Sequence, residues 1–162
     1  MTPEDAALLA ERQASFRQFD AERLPALIHF IEAIGIRPGN TVGSDAAAYL
    51  PYLTQALRDT PIDDDDDRRF FAARVAEYVG EYFSQRFGGG WYVNDVAGSA
   101  TFARYVVGRF TAIAGSSARI DAFEVAIAFV NLPAPRDLQA LLASVERELG
   151  VALVDSQAKP AH

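Results

Sequence analysis

From Pro3 to Ile36 apolar residues return at helical intervals: Leu8, Leu9, Phe16, Phe19, Leu24, Leu27, Ile28, Ile31 and Ile34. Residues three and four apart share one face of an α-helix, so this spacing predicts a helical first segment. Pro25 lacks an amide and predicts two pieces, the second capped by Asp20 with Pro25 in its first turns and ended by Gly35. After the loop "RPGNTVG", Ser44 is a good cap for a helix through "DAAAYLPYLTQALRDT", which Pro51 kinks or restarts and Pro61 closes.

A further helix is predicted from about Asp65 to Phe87. Phe71, Val75, Tyr78, Val79, Tyr82 and Phe83 form its apolar stripe, and Arg74, Glu77, Glu81 and Ser84 its opposite, solvated face. It ends at "GGG", residues 88 to 90, where glycine can supply a helix C-cap and a tight entry to a strand.

The period then changes from about 3.6 to 2. "WYVNDV", "TFARYVV" and "RFTAI" are short runs rich in β-branched and aromatic residues, separated by "AGSA" and by Gly108, and predict a three-stranded antiparallel meander. "AGSSARI" leads out of it. Asp121 and Glu124 are spaced as a capping box opening the helix "AFEVAIAFVNL", "PAP" stops it, and an amphipathic helix "RDLQALLASVERELG" ends at Gly150. The fold expected is α+β: one domain over residues 1–154, N-terminal and C-terminal helices packed on one face of a small sheet, with 155–162 a mobile tail.

Composition supports this picture and narrows the function. With 162 residues, half of them apolar, the chain is large enough to bury a core without disulfides or metals. A net charge of -7 and basic residues only in pairs argue against general nucleic-acid binding and are compatible with a basic partner. The first residues, "MTPEDAALLAERQ", carry acids where a secretory signal has bases, and no run approaches a membrane span, so a cytoplasmic location is expected. The chain has no cysteine, which removes disulfides and thiolate zinc sites.

The loudest local feature is Asp63, Asp64, Asp65, Asp66 and Asp67, followed at once by "RRFF". Calcium-loop spacing fails, because Arg68 stands where the sixth position needs glycine and Arg74 where the twelfth needs a bidentate glutamate. Three readings remain: a solvated helix start whose carboxylates face the positive end of the dipole, an acidic patch that attracts a basic partner, or an improvised weak cation site.

Catalytic sets are missing. His29, between Ile28 and Phe30, is expected at the edge of the core, and His162 is in the tail, so no triad or di-iron set can be assembled. There is no nucleophile elbow, Walker sequence or dinucleotide fingerprint, and no cofactor or metal is predicted. Glu77 and Glu81 have the spacing of paired carboxylates, with Arg74 near Glu77. Trp91 and Tyr92 point to opposite faces of the first strand, so one is expected in the core and the other partly exposed, where an aromatic can anchor an interface.

"VGEYFSQRFGGGWYVND" and "RIDAFEVAIAFV" resemble a group of uncharacterised bacterial domains in which a Gly-Glu helix leads into a Gly-Gly-x-Trp strand and an Asp-Pro-Phe element opens a later helix. Gly80 and Glu81 match the first element, Gly89, Gly90 and Trp91 the second, and Asp121, Ala122 and Phe123 the third, with Ala122 in place of proline. The resemblance spans about residues 75 to 130. It implies a small α+β domain, some of whose relatives look like toxin-immunity or accessory proteins, and it carries over no catalytic residue.

The expected function is a non-enzymatic, cytoplasmic protein-binding module, most concretely an immunity-type inhibitor of a basic toxin domain. Asp63 to Asp67 would steer the partner, with Trp91 and Tyr92 as anchors. The alternatives are a small-molecule or enzymatic domain with a pocket between sheet and helices, using Glu77, Glu81, Tyr78 or Tyr82, and a structural homodimer.

Overall fold

Thr2 and Asp5 close a capping box at the start of the first helix. The Asp5 amide donates to Thr2 Oγ1 at 3.1 Å and the Thr2 amide to an Asp5 carboxylate oxygen at 3.4 Å. In the computed structural model, which describes residues 1–113 and 117–158 and side chains as far as residue 150, this helix, α1, runs unbroken over Pro3–Ala33. The break expected at Pro25 does not occur. Pro25 and Ala21, whose carbonyl loses its amide partner, both lie on the exposed side where water can serve. On the other side Phe19 and Leu24 before the proline, and Leu27, Phe30 and Ile31 after it, pack into one core. His29, expected at the core edge, is exposed.

Two short 3-10 helices, Asn40–Gly43 and Ala46–Tyr49, lead to α2, Leu50–Leu57. Pro51 sits in the first turn of α2, so it restarts the helix. Ser44 is not the N-cap expected of it but the C-cap of the first 3-10 helix, and its hydroxyl turns back to the Thr41 carbonyl at 3.2 Å.

The central element is α3, Asp65–Phe87, which touches α1, the second 3-10 helix, the sheet and α4. Gly88 stops it with a left-handed φ of 71°, a conformation that glycine adopts without strain. Because neighbours surround α3, every residue from Val75 to Phe83 is buried. The solvated face expected at Glu77 and Glu81 is therefore a covered one.

Strands β1, Gly90–Val93, β2, Tyr105–Gly108, and β3, Arg119–Ile120, form an antiparallel sheet in the order β1-β2-β3. Trp91 pairs with Val107 and Val107 with Ile120, giving a buried row that faces the helices. The third strand is not "RFTAI". Arg109 takes a φ of 55° and turns the chain out of the sheet. The amides of Thr111 and Ala112 then donate to the carbonyls of Gly88 and Phe87, both at 3.0 Å, and Phe110 packs on Phe87.

Asp121 caps α4, Ala122–Val130, by accepting from the Glu124 amide at 3.1 Å. The last helix, α5, spans Leu138–Ala158 and so passes the stop expected at Gly150; residues 159–162 of the expected tail lie outside the described residues. The result is an α+β domain in which helices outweigh a small sheet.

Candidate functional site

The carboxylates of the Asp run divide by task. Asp64 is the N-cap of α3 and accepts from the Asp67 amide at 2.8 Å, while Asp67 accepts from the Asp63 amide at 3.4 Å. Asp65 receives Arg68 at 2.7 Å and Asp66 is paired with Arg69, each one turn along the helix. Arg68 holds the Asp65 carboxyl below the usual carboxylate range. The run is exposed except for a half-buried Asp67, and Phe70, one turn beyond Asp66, leaves half its ring in solvent, 51%. Phe30 and Phe71 brace that ring at 5.9 and 5.3 Å between centroids, and the Arg74 guanidinium lies 5.7 Å from it. Sequence reasoning did not single out Phe70; the signal was its place immediately after the acid and base pairs.

Trp91 is the core member of its pair and Tyr92 the half-buried one. The indole packs edge-on against Phe19 and Phe123 and lies over Gly80. Tyr92 has the Arg109 guanidinium 4.0 Å from its ring centroid, so that face of the ring is occupied. Arg104, beside Tyr105, is also engaged and donates to Asp121 at 2.8 Å.

Beneath the surface, α3 carries two buried carboxylates toward α1. Glu81 is paired with Arg23, which also donates to Asp20 at 2.9 Å, and it accepts from Gln85 Nε2 at 3.2 Å. Gln85 in turn donates to the Val42 carbonyl at 2.8 Å and accepts from the Ala46 amide at 2.7 Å. This chain ties α1, α3 and the 42–46 loop together. Tyr78, one residue round the helix from Glu77, points to the other side and donates to the Ala46 carbonyl at 2.8 Å. Burial raises both the Tyr78 and the Tyr82 hydroxyl, so neither is available as an easily ionised group.

Glu77 is different. Its Oε1 stands 3.0 Å from Arg74 Nε as an ion pair, but the angle makes no hydrogen bond, and both atoms are buried without a hydrogen-bond partner. Burial outweighs the attraction of Arg74 and Arg23 and pushes the Glu77 carboxyl up to about 7. Trp91, Val107 and Ile120 fill the centre of the space between sheet and helices, and clefts of about 480 and 590 Å³ open at its margins, one between β3, α4 and α5 and one between β2, α4 and Arg12 of α1. The cavity that Glu77 lines lies instead between α1 and α3, about 480 Å³, with Phe19, Arg23, Ala26, Ala73, Arg74 and Phe123. Of these four residues Glu77 lines this cavity, Glu81 is tied to its wall through Arg23, and Tyr78 meets the Ala46 carbonyl. The sequence hides this grouping because Arg23 and Phe19 belong to a helix far away in the chain, and only the covered face of α3 joins them.

Among the described residues, no cluster of three or more carboxylate or imidazole groups is placed to hold a metal ion, and no helix is long and apolar enough to cross a membrane. In comparison with known proteins, the chain matches no family model, no curated protein and no solved structure.

Proposed function

We propose that the protein is a non-enzymatic binding module that meets a basic protein partner at the start of α3. The observation that carries this reading is the juxtaposition of exposed carboxylates at residues 63 to 66 with the half-exposed, braced ring of Phe70. Exposed charge accelerates and selects encounter, and an aromatic ring already held by its neighbours can be buried with little loss of side-chain freedom. Residues 63 to 69 hold five acids and two bases, so the patch stays acidic after its local ion pairs. The most concrete form of the proposal is an immunity-type inhibitor acting in the cytoplasm, which covers a basic toxin domain by occlusion. The resemblance over about residues 75 to 130 favours that form.

The test is capture of the tagged protein from its native cells at low salt, followed by salt titration and identification of what is released. A single basic protein that leaves at moderate salt, and that associates more slowly when all five aspartates are replaced by asparagine, supports the reading. Recovery of the chain alone or only with its own copies sinks it.

A further inference from the structure

The α1–α3 cavity combines three features. Its side walls are apolar and aromatic, from Phe19, Ala26, Ala73 and Phe123, and the two alanines face it where larger residues would close the gap between helices. Its polar lining alternates in sign, with Glu22 and Glu77 against Arg23 and Arg74. Arg23 is already committed to Asp20 and Glu81, whereas Arg74 and Glu77 touch each other at 3.0 Å without forming a hydrogen bond. A buried polar group without a hydrogen bond is costly, and the natural remedy is a partner that supplies what is missing.

The missing pieces are a donor for Glu77 Oε1 and an acceptor for Arg74 Nε, side by side. A simple cation would satisfy Glu77 but leave Arg74 unmatched and face two guanidinium groups. A simple anion would satisfy Arg74 but meet Glu77 and Glu22. An apolar molecule would leave both polar groups bare. A molecule with both charges on adjacent atoms and an apolar body matches every part of the wall, and the cavity volume falls within the range of small-molecule sites. We propose that the cavity between α1 and α3 binds a free amino acid with an apolar side chain, its ammonium on Glu77, its carboxylate on Arg74 and its side chain between Phe19 and Phe123. The ammonium replaces a proton as the partner of Glu77, and the charged groups that face this carboxyl, Arg74 from α3 and Arg23 from α1, both favour its ionised form.

Isothermal titration of the full chain with L-phenylalanine and L-leucine tests this, with N-acetyl-L-phenylalanine and L-phenylalanine amide as the forms that lack one charge. Saturable binding of at least one free amino acid is expected, weakened about tenfold or more by either cap. Glu77→Gln should weaken it about tenfold, and Ala73→Leu, at a half-buried wall position, should abolish it by filling the space, each checked for native circular dichroism. Binding near pH 7 should also release a proton, seen as a dependence of the heat on buffer ionisation enthalpy, which a purely structural Glu77 would not give. Absence of binding up to about 10 mM, equal binding of the capped forms, or affinity unchanged in both folded variants overturns the proposal.

Discussion

Gly80 lies directly beneath the indole of Trp91: a β-carbon at residue 80 would stand 2.0 Å from Trp91 Cζ2. The glycine in the middle of a buried helix and the tryptophan at the head of a strand are therefore one device, which lets sheet and helix approach to within the thickness of a ring. Gly80→Ala gains about 1 kcal/mol of helix propensity but forces the indole or the helix to move, a strain of about 1 to 3 kcal/mol or more. We expect net destabilisation in urea unfolding with loss of native tryptophan fluorescence. A variant as stable as the parent would show that the indole has room to shift.

Pro25 offers the opposite test. It is exposed within a continuous helix, so its ring contributes little packing while it removes one hydrogen bond. Proline in a helix interior is about 3 kcal/mol less favourable than alanine. Pro25→Ala should stabilise the fold by about 1 to 3 kcal/mol in the same unfolding measurement. A loss of stability would mean that the proline itself is needed for the contacts on either side of it.

These two positions also show what was legible in the sequence. The extent of α3, the stop at Gly88, the cap at Asp121 and the antiparallel order of the sheet follow from local rules, and the structure has them. The break at Pro25 and the third strand at "RFTAI" were misjudged for one reason: tertiary contacts decided against local preference. Core packing on both sides of Pro25 keeps the helix whole, and Arg109 turns the chain toward the end of α3, where Phe87 receives Phe110. The cavity was illegible for a related reason. A polar helix face looks the same in sequence whether water or another helix covers it, and only the arrival of Arg23 from α1 makes Glu81 a buried partner and leaves Glu77 without a hydrogen bond.

The Asp run can be separated into a structural and a surface part. Asp64 caps α3, whereas the Asp63 side chain is exposed and its residue touches the helix only through its backbone amide. Asp64→Ala should cost about 1 kcal/mol of stability and Asp63→Ala within about 0.5 kcal/mol of nothing. Equal losses at both positions in thermal unfolding would contradict the division. The distinction matters for any binding experiment, because replacing Asp64 alters the helix start as well as the charge, and Asp64→Asn keeps the cap.

Glu77 predicts a pH dependence whose sign follows from its burial. The carboxyl is raised from 4.5 to about 7 in the folded protein, so between those values the folded state holds a proton that the unfolded chain has released. Stability then falls as pH rises, since ∂ΔG/∂pH follows the protons bound in the unfolded state minus those bound in the native state. The group is without penalty below about 4.5 and carries its full penalty above about 7, on the order of 3 kcal/mol at most. Glu77→Gln keeps the shape and removes the charge, so the variant should gain on the parent progressively from pH 4.5 to 7 and by a constant margin above that. Urea unfolding of both proteins across this range measures the difference directly, with every other titrating group cancelling. A difference that does not change with pH would show that the Arg74 contact, poor as its angle is, already compensates for burial. A difference that grows as expected would identify a carboxyl held in the cavity wall at an energetic disadvantage, which an incoming ammonium group would relieve.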